Sequence, residues 1–121
     1  MNYDLENRTR KFSKEVINFC KKIKQNNINT NIINQLIRSA TSVGANYCEA
    51  NAASSKNDFR NKIYICRKEI QETKYWLELL AAAGPEQYKK ELRLIWKEAH
   101  ELTLIFNKIS QSLKRSLKIG N

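Results

Sequence analysis

The chain has 121 residues, of which 41% are hydrophobic and 28% are charged, and its formal net charge is +10. This size and composition predict one soluble globular domain over residues 1–121 and argue against a disordered or membrane protein, because no apolar run approaches the roughly 18 residues of a membrane span. Three scattered cysteines and one histidine are too few for a disulfide framework or a zinc site, so we expect free thiols, no metal and no cofactor.

The first predicted element is an amphipathic helix over residues 4–24. The N-terminal stretch is polar, with no apolar segment that could serve as a signal peptide, so we expect a cytoplasmic protein. Apolar residues then recur at spacings of three and four, the period of a helix with one buried face. The core seam of this helix consists of Leu5, Thr9, Phe12, Val16, Phe19 and Ile23.

A second helix is predicted for residues 31–53, after a turn-rich stretch at residues 24–31, with Thr30 or Asn31 at its start. Its core seam consists of Ile33, Leu36, Ala40, Val43, Tyr47 and Ala50. Beside that seam runs a stripe of small and polar residues, namely Ser39, Ser42, Asn46, Glu49 and Ala53.

A third helix is predicted for residues 57–83, capped by Ser55 or Asn57 and ended by Gly84 and Pro85. Its core seam consists of Phe59, Ile63, Cys66, Ile70, Thr73, Leu77 and Leu80. It also has a polar stripe, formed by Asp58, Lys62, Glu69, Glu72 and Trp76.

The fourth helix is predicted for residues 86–117. Its seam consists of Leu92, Ile95, Ala99, Leu102, Phe106, Ile109 and Leu113. Because the connecting loops are short, neighbouring helices must run in opposite directions. The sequence therefore predicts an all-α fold, an antiparallel up-down-up-down four-helix bundle with shallow crossing angles.

Two interpretations of the polar stripes stay open. A stripe of small residues lets backbones approach closely, and its Asn and Glu can pair with Arg38, Lys62 or Arg67, which suits a subunit interface. Alternatively, Gly44 and the small residues let the second helix pack tightly inside its own bundle. The candidate interface consists of Ser39, Ser42, Asn46, Glu49, Glu69, Glu72 and Trp76.

The runs QLIRSATSVGANYCEAN and SKNDFRNKIYICRKEIQETKYWLELL resemble the four-helix-bundle family of 23S rRNA-intervening-sequence proteins. That family shows Q-L-x-R-x-A-x-S-x-x-x-N-x-x-E, followed by D/E-F and E-T-x-Y/W-L. Ala50, and Lys68 with Glu69, depart from the pattern, since many relatives carry a Gly and a Gly-Ser pair there. The matching positions are Gln35, Leu36, Arg38, Ala40, Ser42, Asn46, Glu49, Asp58, Phe59, Glu72, Thr73, Trp76 and Leu77.

The resemblance implies a homopentameric ring, genes that sometimes lie inside intervening sequences of large-subunit rRNA genes, and no established catalytic activity. The accessory variability proteins of diversity-generating retroelements are similar in fold, strongly basic, and work with a reverse transcriptase and its RNA. Because a ring needs a lateral surface, the resemblance favours the interface interpretation of the stripes.

The excess of positive charge lies mainly on the first and fourth helices. Residues 1–28 carry seven basic and three acidic groups, and residues 85–121 carry eight and four. Such an excess attracts polyanions, although a lysine-rich face can also serve solubility alone. The candidate nucleic-acid contacts are Lys89, Arg93 and Lys97, the most compact set, with Arg10, Lys14 and Lys21.

Catalytic interpretations have little support in the sequence, and we assign no catalytic residues. A di-iron bundle needs two Glu-x-x-His motifs, but His100 is the only histidine. Glu49 and Glu72 could form a carboxylate pair, yet ion pairing with arginine is the commoner role. Trp76 and Trp96 could stack on bases, but packing between helices is favoured.

These observations predict a non-catalytic, self-assembling bundle, a pentamer by resemblance, that binds nucleic acid through the phosphate backbone, RNA rather than DNA. The alternative is an oligomeric scaffold or adaptor that binds a protein partner, with the basic face serving only solubility.

Overall fold

The computed structural model describes the backbone of residues 4–120 and the side chains of residues 4–115. Within that part all regular structure is helical, which confirms the all-α prediction. The helices are α1 (Leu5–Lys21), α2 (Thr30–Asn51), α3 (Lys56–Ala83) and α4 (Lys89–Gly120), with a single 3-10 turn at Glu86–Tyr88 before α4. Residues 1–3 and 121 of the predicted domain lie outside the described residues. None of the described helices is long and apolar enough to cross a membrane.

Contacts between helices confirm the antiparallel bundle. Along the α2–α3 pair, Arg38 contacts Glu69, whereas Glu49, later in α2, contacts Lys62, earlier in α3. Because the order of contacts is reversed, the two helices run in opposite directions. The α3–α4 pair shows the same reversal, with Lys74 beside His100 and Glu78 beside Trp96.

The core is formed by the four predicted seams. Every predicted seam residue of α1 is buried, including Ile23 just beyond its end, and so are the central seam residues of the other helices. Tyr47, Phe59, Ile109 and Leu113, at the seam ends, are partly buried and pack against this core. The largest fully buried side chains are Phe12, Phe19 and Phe106. Phe19 also makes an edge-to-face contact with Tyr88, in the 3-10 turn before α4, with ring centroids 5.8 Å apart.

The helix ends follow from local hydrogen bonding. Ser55 is the N-cap of α3, since its Oγ accepts from the amide of Asp58 at 3.0 Å, which satisfies an amide that has no partner within the helix. Before α2, the Asn26 side chain accepts from the Asn29 amide, and the Asn29 side chain accepts from the Asn26 amide, both at 2.9 Å. This reciprocal pair holds the turn that ends α1 at Lys21, three residues before the predicted end.

The cysteines are free, as predicted. Cys20 and Cys66 are buried, while Cys48 is half-buried. Burial raises the pKa of the Cys20 thiol to about 11 and that of the Cys66 thiol to about 12. Both groups therefore stay protonated at neutral pH and act as small apolar side chains of the core.

Two glycines make different demands on the fold, and replacing each by alanine measures the difference. A Cβ at Gly84 would lie 2.8 Å from the carbonyl oxygen of Leu80, to which the Gly84 amide donates. Gly84→Ala is therefore expected to destabilise the protein by about 1–2 kcal/mol in urea unfolding.

A Cβ at Gly44 would lie 3.5 Å from Ser13 Oγ and the Thr9 carbonyl oxygen, an ordinary contact. Gly44→Ala should stabilise by about 0.5–1 kcal/mol, because alanine is the better helix former. An equal loss at Gly44 would show that α1 and α2 need a glycine to pack.

Candidate nucleic-acid interface

The polar stripes of α2 and α3 meet in a network inside one protomer. Arg38 forms ion pairs with Glu69, at 3.0 Å, and with Glu72, and its Nε donates to Gln35. Glu72 also accepts from the indole nitrogen of Trp76 at 2.9 Å. The prediction that these acids pair with Arg38 is thus confirmed, and several residues that carry the family resemblance belong to this one network.

Separate hydrogen bonds and a further ion pair lie along α2. Asn46 donates to the carbonyl and hydroxyl oxygens of Ser42, at 2.9 and 3.0 Å. Glu49 pairs with Lys62 at 3.0 Å, and this hydrogen bond raises the pKa of Lys62. Because Glu49 and Glu72 are each bound to a cation, they do not form a carboxylate pair. Ser42, Asn46, Glu49, Glu72 and Trp76 all keep some exposed surface, and we call these five residues the α2–α3 face.

Ser39 and Glu69 do not belong to the surface, which corrects their assignment to the candidate interface. Ser39 has no exposed area, and its hydroxyl accepts from Thr73 at 3.0 Å. Glu69 is 5% exposed. Both residues lie close to the core seams of their helices, so the neighbouring helix covers them. They stabilise the α2–α3 contact from within the protomer.

Removing Arg38 should lower the free energy of unfolding, because the buried Glu69 carboxylate depends on Arg38 as its ion-pair partner. In Arg38→Ala the Glu69 carboxylate, whose side chain is 7% exposed, would lose its ion pair while remaining in the bundle. The expected cost is about 2 kcal/mol of unfolding free energy, measured by urea denaturation. Lys62→Ala is the matched control on the same seam, and its loss should be smaller because Glu49 is 58% exposed. Equal losses would show that the burial of Glu69 costs nothing.

The six candidate cations are all exposed, but they lie on two separate sides of the bundle. Lys89 and Arg93 border a groove between α3 and α4, and Lys97 is one turn further along α4. Arg10 and Lys14 border a different groove, between α1 and α2, and Lys21 continues their line. The two sets therefore do not form one basic surface.

The border between α1 and α4 carries ion pairs instead. Arg8 forms two hydrogen bonds with Glu98, at 2.8 and 2.9 Å, and a further contact with Glu101. The hydrogen bond to Glu98 raises the pKa of Arg8. Nearer the other end, Lys22 pairs with Glu91. Positive and negative charges balance along this border, so it has little attraction for a polyanion.

A line of basic residues runs along α4, which is one continuous helix, and extends beyond Lys97. Arg93, Lys97, Lys108 and Arg115 are all exposed, and at 100° per residue they lie within about 60° of one another. Among the described residues none of these four forms an ion pair. We call them the α4 ridge. Lys89, by contrast, pairs with Glu86 at 2.8 Å.

Lys108 and Arg115 are absent from the sequence-based candidates. The helical period of α4 could have identified them, because it continues past Glu101. It places both residues on the same face as Arg93 and Lys97. Leu104, which lies between Lys97 and Lys108 on this face, is 54% exposed. The ridge thus combines four cations with one exposed apolar side chain.

The groove between α3 and α4 has one aromatic side chain, Trp96, in its wall. Its apolar lining is formed by Leu77, Ala81, Leu92 and Trp96, and its volume is about 300 Å³. The indole nitrogen of Trp96 donates to Glu78 at 3.0 Å, and the ring stacks on His100 with centroids 5.2 Å apart. Both tryptophans therefore pack between helices, as the sequence favoured.

Comparison with known proteins agrees with the sequence motifs. The family described as 23S rRNA-intervening sequence protein matches residues 1–94. Among curated proteins nothing matches significantly. Among solved structures, the chain is similar to a protein of unknown function from the S23 ribosomal protein family of Bacteroides thetaiotaomicron VPI-5482. That protein is 31% identical, the alignment covers 87% of this chain and 96% of the other, and the TM-score is 0.73.

The relation to accessory variability proteins stays a prediction. The family match spans α1, α2 and α3 and reaches into α4, and the structural similarity covers most of both chains. The chain therefore belongs to the family of 23S rRNA-intervening sequence proteins.

Proposed function

We propose that this protein is a non-catalytic, self-assembling helical bundle that binds RNA through its phosphate backbone along the α4 ridge. The observation that carries the proposal is the ridge itself, four exposed cations in line with no ion pair among the described residues. The ridge extends over about 33 Å from Arg93 to Arg115, and Arg93 and Lys97 are about 6 Å apart along the axis. Cations aligned on a rigid helix neutralise phosphates along a strand and release their counterions.

The choice of RNA rests on the family, which is named for intervening sequences of 23S rRNA. The overall charge of +10 favours association with any polyanion, so it gives affinity without selecting a sequence. The balanced charges of the α1–α4 border and the paired acids of the α2–α3 face direct such an anion toward α4.

Self-assembly is proposed through the α2–α3 face. Its side chains are small or already held by hydrogen bonds, so little conformational entropy is lost when a second copy covers them. Tyr75, which is 53% exposed and 5.0 Å from the Trp76 ring, adds apolar area beside it. This face contains no residue of α4, so covering it does not by itself cover the ridge of the same copy, and multiple accessible ridges would add avidity.

The test of RNA binding begins with the purified protein. We expect it to retain nucleic acid, seen as a raised ratio of absorbance at 260 nm to that at 280 nm that falls after a high-salt wash. For a defined RNA, the logarithm of the association constant should fall linearly with the logarithm of salt concentration, by about 0.7–0.9 per neutralised phosphate. Absence of binding at about 50 mM salt would contradict the proposal, because backbone contacts are strongest there, and would favour the adaptor alternative.

A further inference from the structure

The α3–α4 groove opens beside the N-terminal end of the α4 ridge, and Arg93 belongs to both. Its volume of about 300 Å³ and its apolar, partly aromatic lining are typical of the smaller ligand sites of proteins. Lys89 and Arg93 stand at its edge, one helical turn apart. The groove therefore offers an apolar cavity next to positive charge.

Trp96 forms a fixed wall of this groove. Its indole nitrogen is held by Glu78, and His100 stacks on the ring at an interplanar angle of 5°. Lys74 lies 4.9 Å from the ring centroid and 3.0 Å from His100 Nδ1. The other α4 residues that line the groove precede Trp96, and His100, which follows it, is not part of the lining.

A ligand that suits this site combines a flat apolar ring with a nearby anionic group. The ring would stack on Trp96 above Leu77 and Leu92, and the anion would reach Arg93. Glu78, the acid in the lining, keeps its negative charge while it accepts from Trp96, so the anion would lie on the side of Arg93. A nucleotide has this combination, but only when its base is unpaired and free to leave the stack.

We infer that the α3–α4 groove takes an unpaired base of an RNA strand whose phosphates lie on the α4 ridge. The protein then prefers single-stranded to duplex RNA of equal charge. This inference rests on the proposed function and adds the class of RNA. Stacking of a base on an aromatic ring raises affinity about tenfold or more.

The experiment uses full-length protein carrying Trp76→Phe, so that tryptophan fluorescence reports on Trp96 alone. Three probes carry the same total number of phosphates: a single-stranded oligoadenylate, a duplex of oligoadenylate and oligouridylate strands of half that length, and an abasic oligomer. The single strand is expected to quench Trp96 and to bind about tenfold more tightly than the abasic oligomer. The duplex is expected to bind without quenching.

A pair of variants locates the effect. Ala81→Phe fills the groove and leaves every cation in place, so it should remove the quenching and the preference for the single strand while duplex affinity stays unchanged. Ala82→Phe, at the neighbouring exposed position outside the groove, is the matched control and should behave as the parent. Circular dichroism and duplex affinity report whether either variant is folded.

The outcomes separate this inference from the proposed function. Equal binding of all three probes, with a normal salt dependence and no quenching, overturns the base site but leaves backbone binding intact. Binding of none of them at about 50 mM salt overturns both. Quenching that persists in Ala81→Phe also overturns the groove as the site.

Discussion

Replacing Arg93, Lys97, Lys108 and Arg115 together by glutamine is expected to weaken RNA binding about 1,000-fold at about 0.1 M salt. Each neutralised phosphate contributes about 0.7–0.9 to the slope of log K against log salt, so four lost contacts lower the magnitude of that slope by about 3. At about 0.1 M salt this change lowers the association constant by about three orders of magnitude. Glutamine is nearly as good a helix former as arginine and lysine, so α4 itself should be preserved. Fluorescence anisotropy over a salt series measures both quantities.

The matched control removes the same number of charges from the other basic side. Replacing Arg10, Lys14, Lys21 and Lys24 by glutamine lowers the net charge equally, but these residues belong to the α1 side of the molecule and to the turn that follows it. We expect only a modest, non-specific loss. If the α1 variant loses more affinity than the ridge variant, the nucleic acid lies beside α1 and the assignment to α4 is wrong. Equal losses would mean that only net charge matters.

The second large effect concerns assembly. Light scattering of the wild type should give about five times the chain mass of 14.2 kDa, as expected from the pentamer that the family resemblance implies. Ser42→Arg should shift the mass toward that of the monomer, because it places a bulky charge without a partner in the centre of the α2–α3 face. Ser42 is half-buried and already holds Asn46, so its surroundings have no acid left free to pair with the new arginine.

Asn18→Arg serves as the control for assembly. Asn18 is exposed on α1, far along the sequence from the α2–α3 face, and a charge there should leave the mass unchanged. A wild-type protein that is monomeric at micromolar concentration would contradict the assembly proposal outright. The α2–α3 face would then serve only the internal network around Arg38.

The helical period was enough to predict the core. The seams depend only on the spacing of apolar residues, and burial is the dominant stabilising term, so Phe12, Val43 and Ile70 lie where the period places them. Ser55 was one of two predicted caps for α3, because capping is a local interaction between a side chain and the amide three residues later. Interactions that are local or purely apolar are thus visible in the sequence.

The candidate site was less predictable, because it depends on which flank of one helix meets which neighbour. A helical wheel gives the angular position of Lys14 or Arg93 around the axis of its own helix. It does not show which neighbouring helix lies beside that residue. The sequence therefore could not show that the basic sets of α1 and α4 border different grooves. Ser39 shows the same limit, since a polar side chain at the edge of a seam is covered only once the adjacent helix is in place.

The α1–α4 border also determines which helix of the molecule unfolds first. It joins residues 90 positions apart, such as Arg8 and Glu98, whereas the other neighbouring helices are joined by short turns. Closing so long a loop costs entropy, and the part-exposed ion pairs that hold this edge weaken as salt rises. Helix α1, the shortest of the four, should therefore separate from the rest before the global unfolding of the chain. The backbone amides of α1 are expected to exchange with deuterium before those of the other helices, and their exchange should become faster in high salt. The exchange of the α3 amides should be neither early nor dependent on salt.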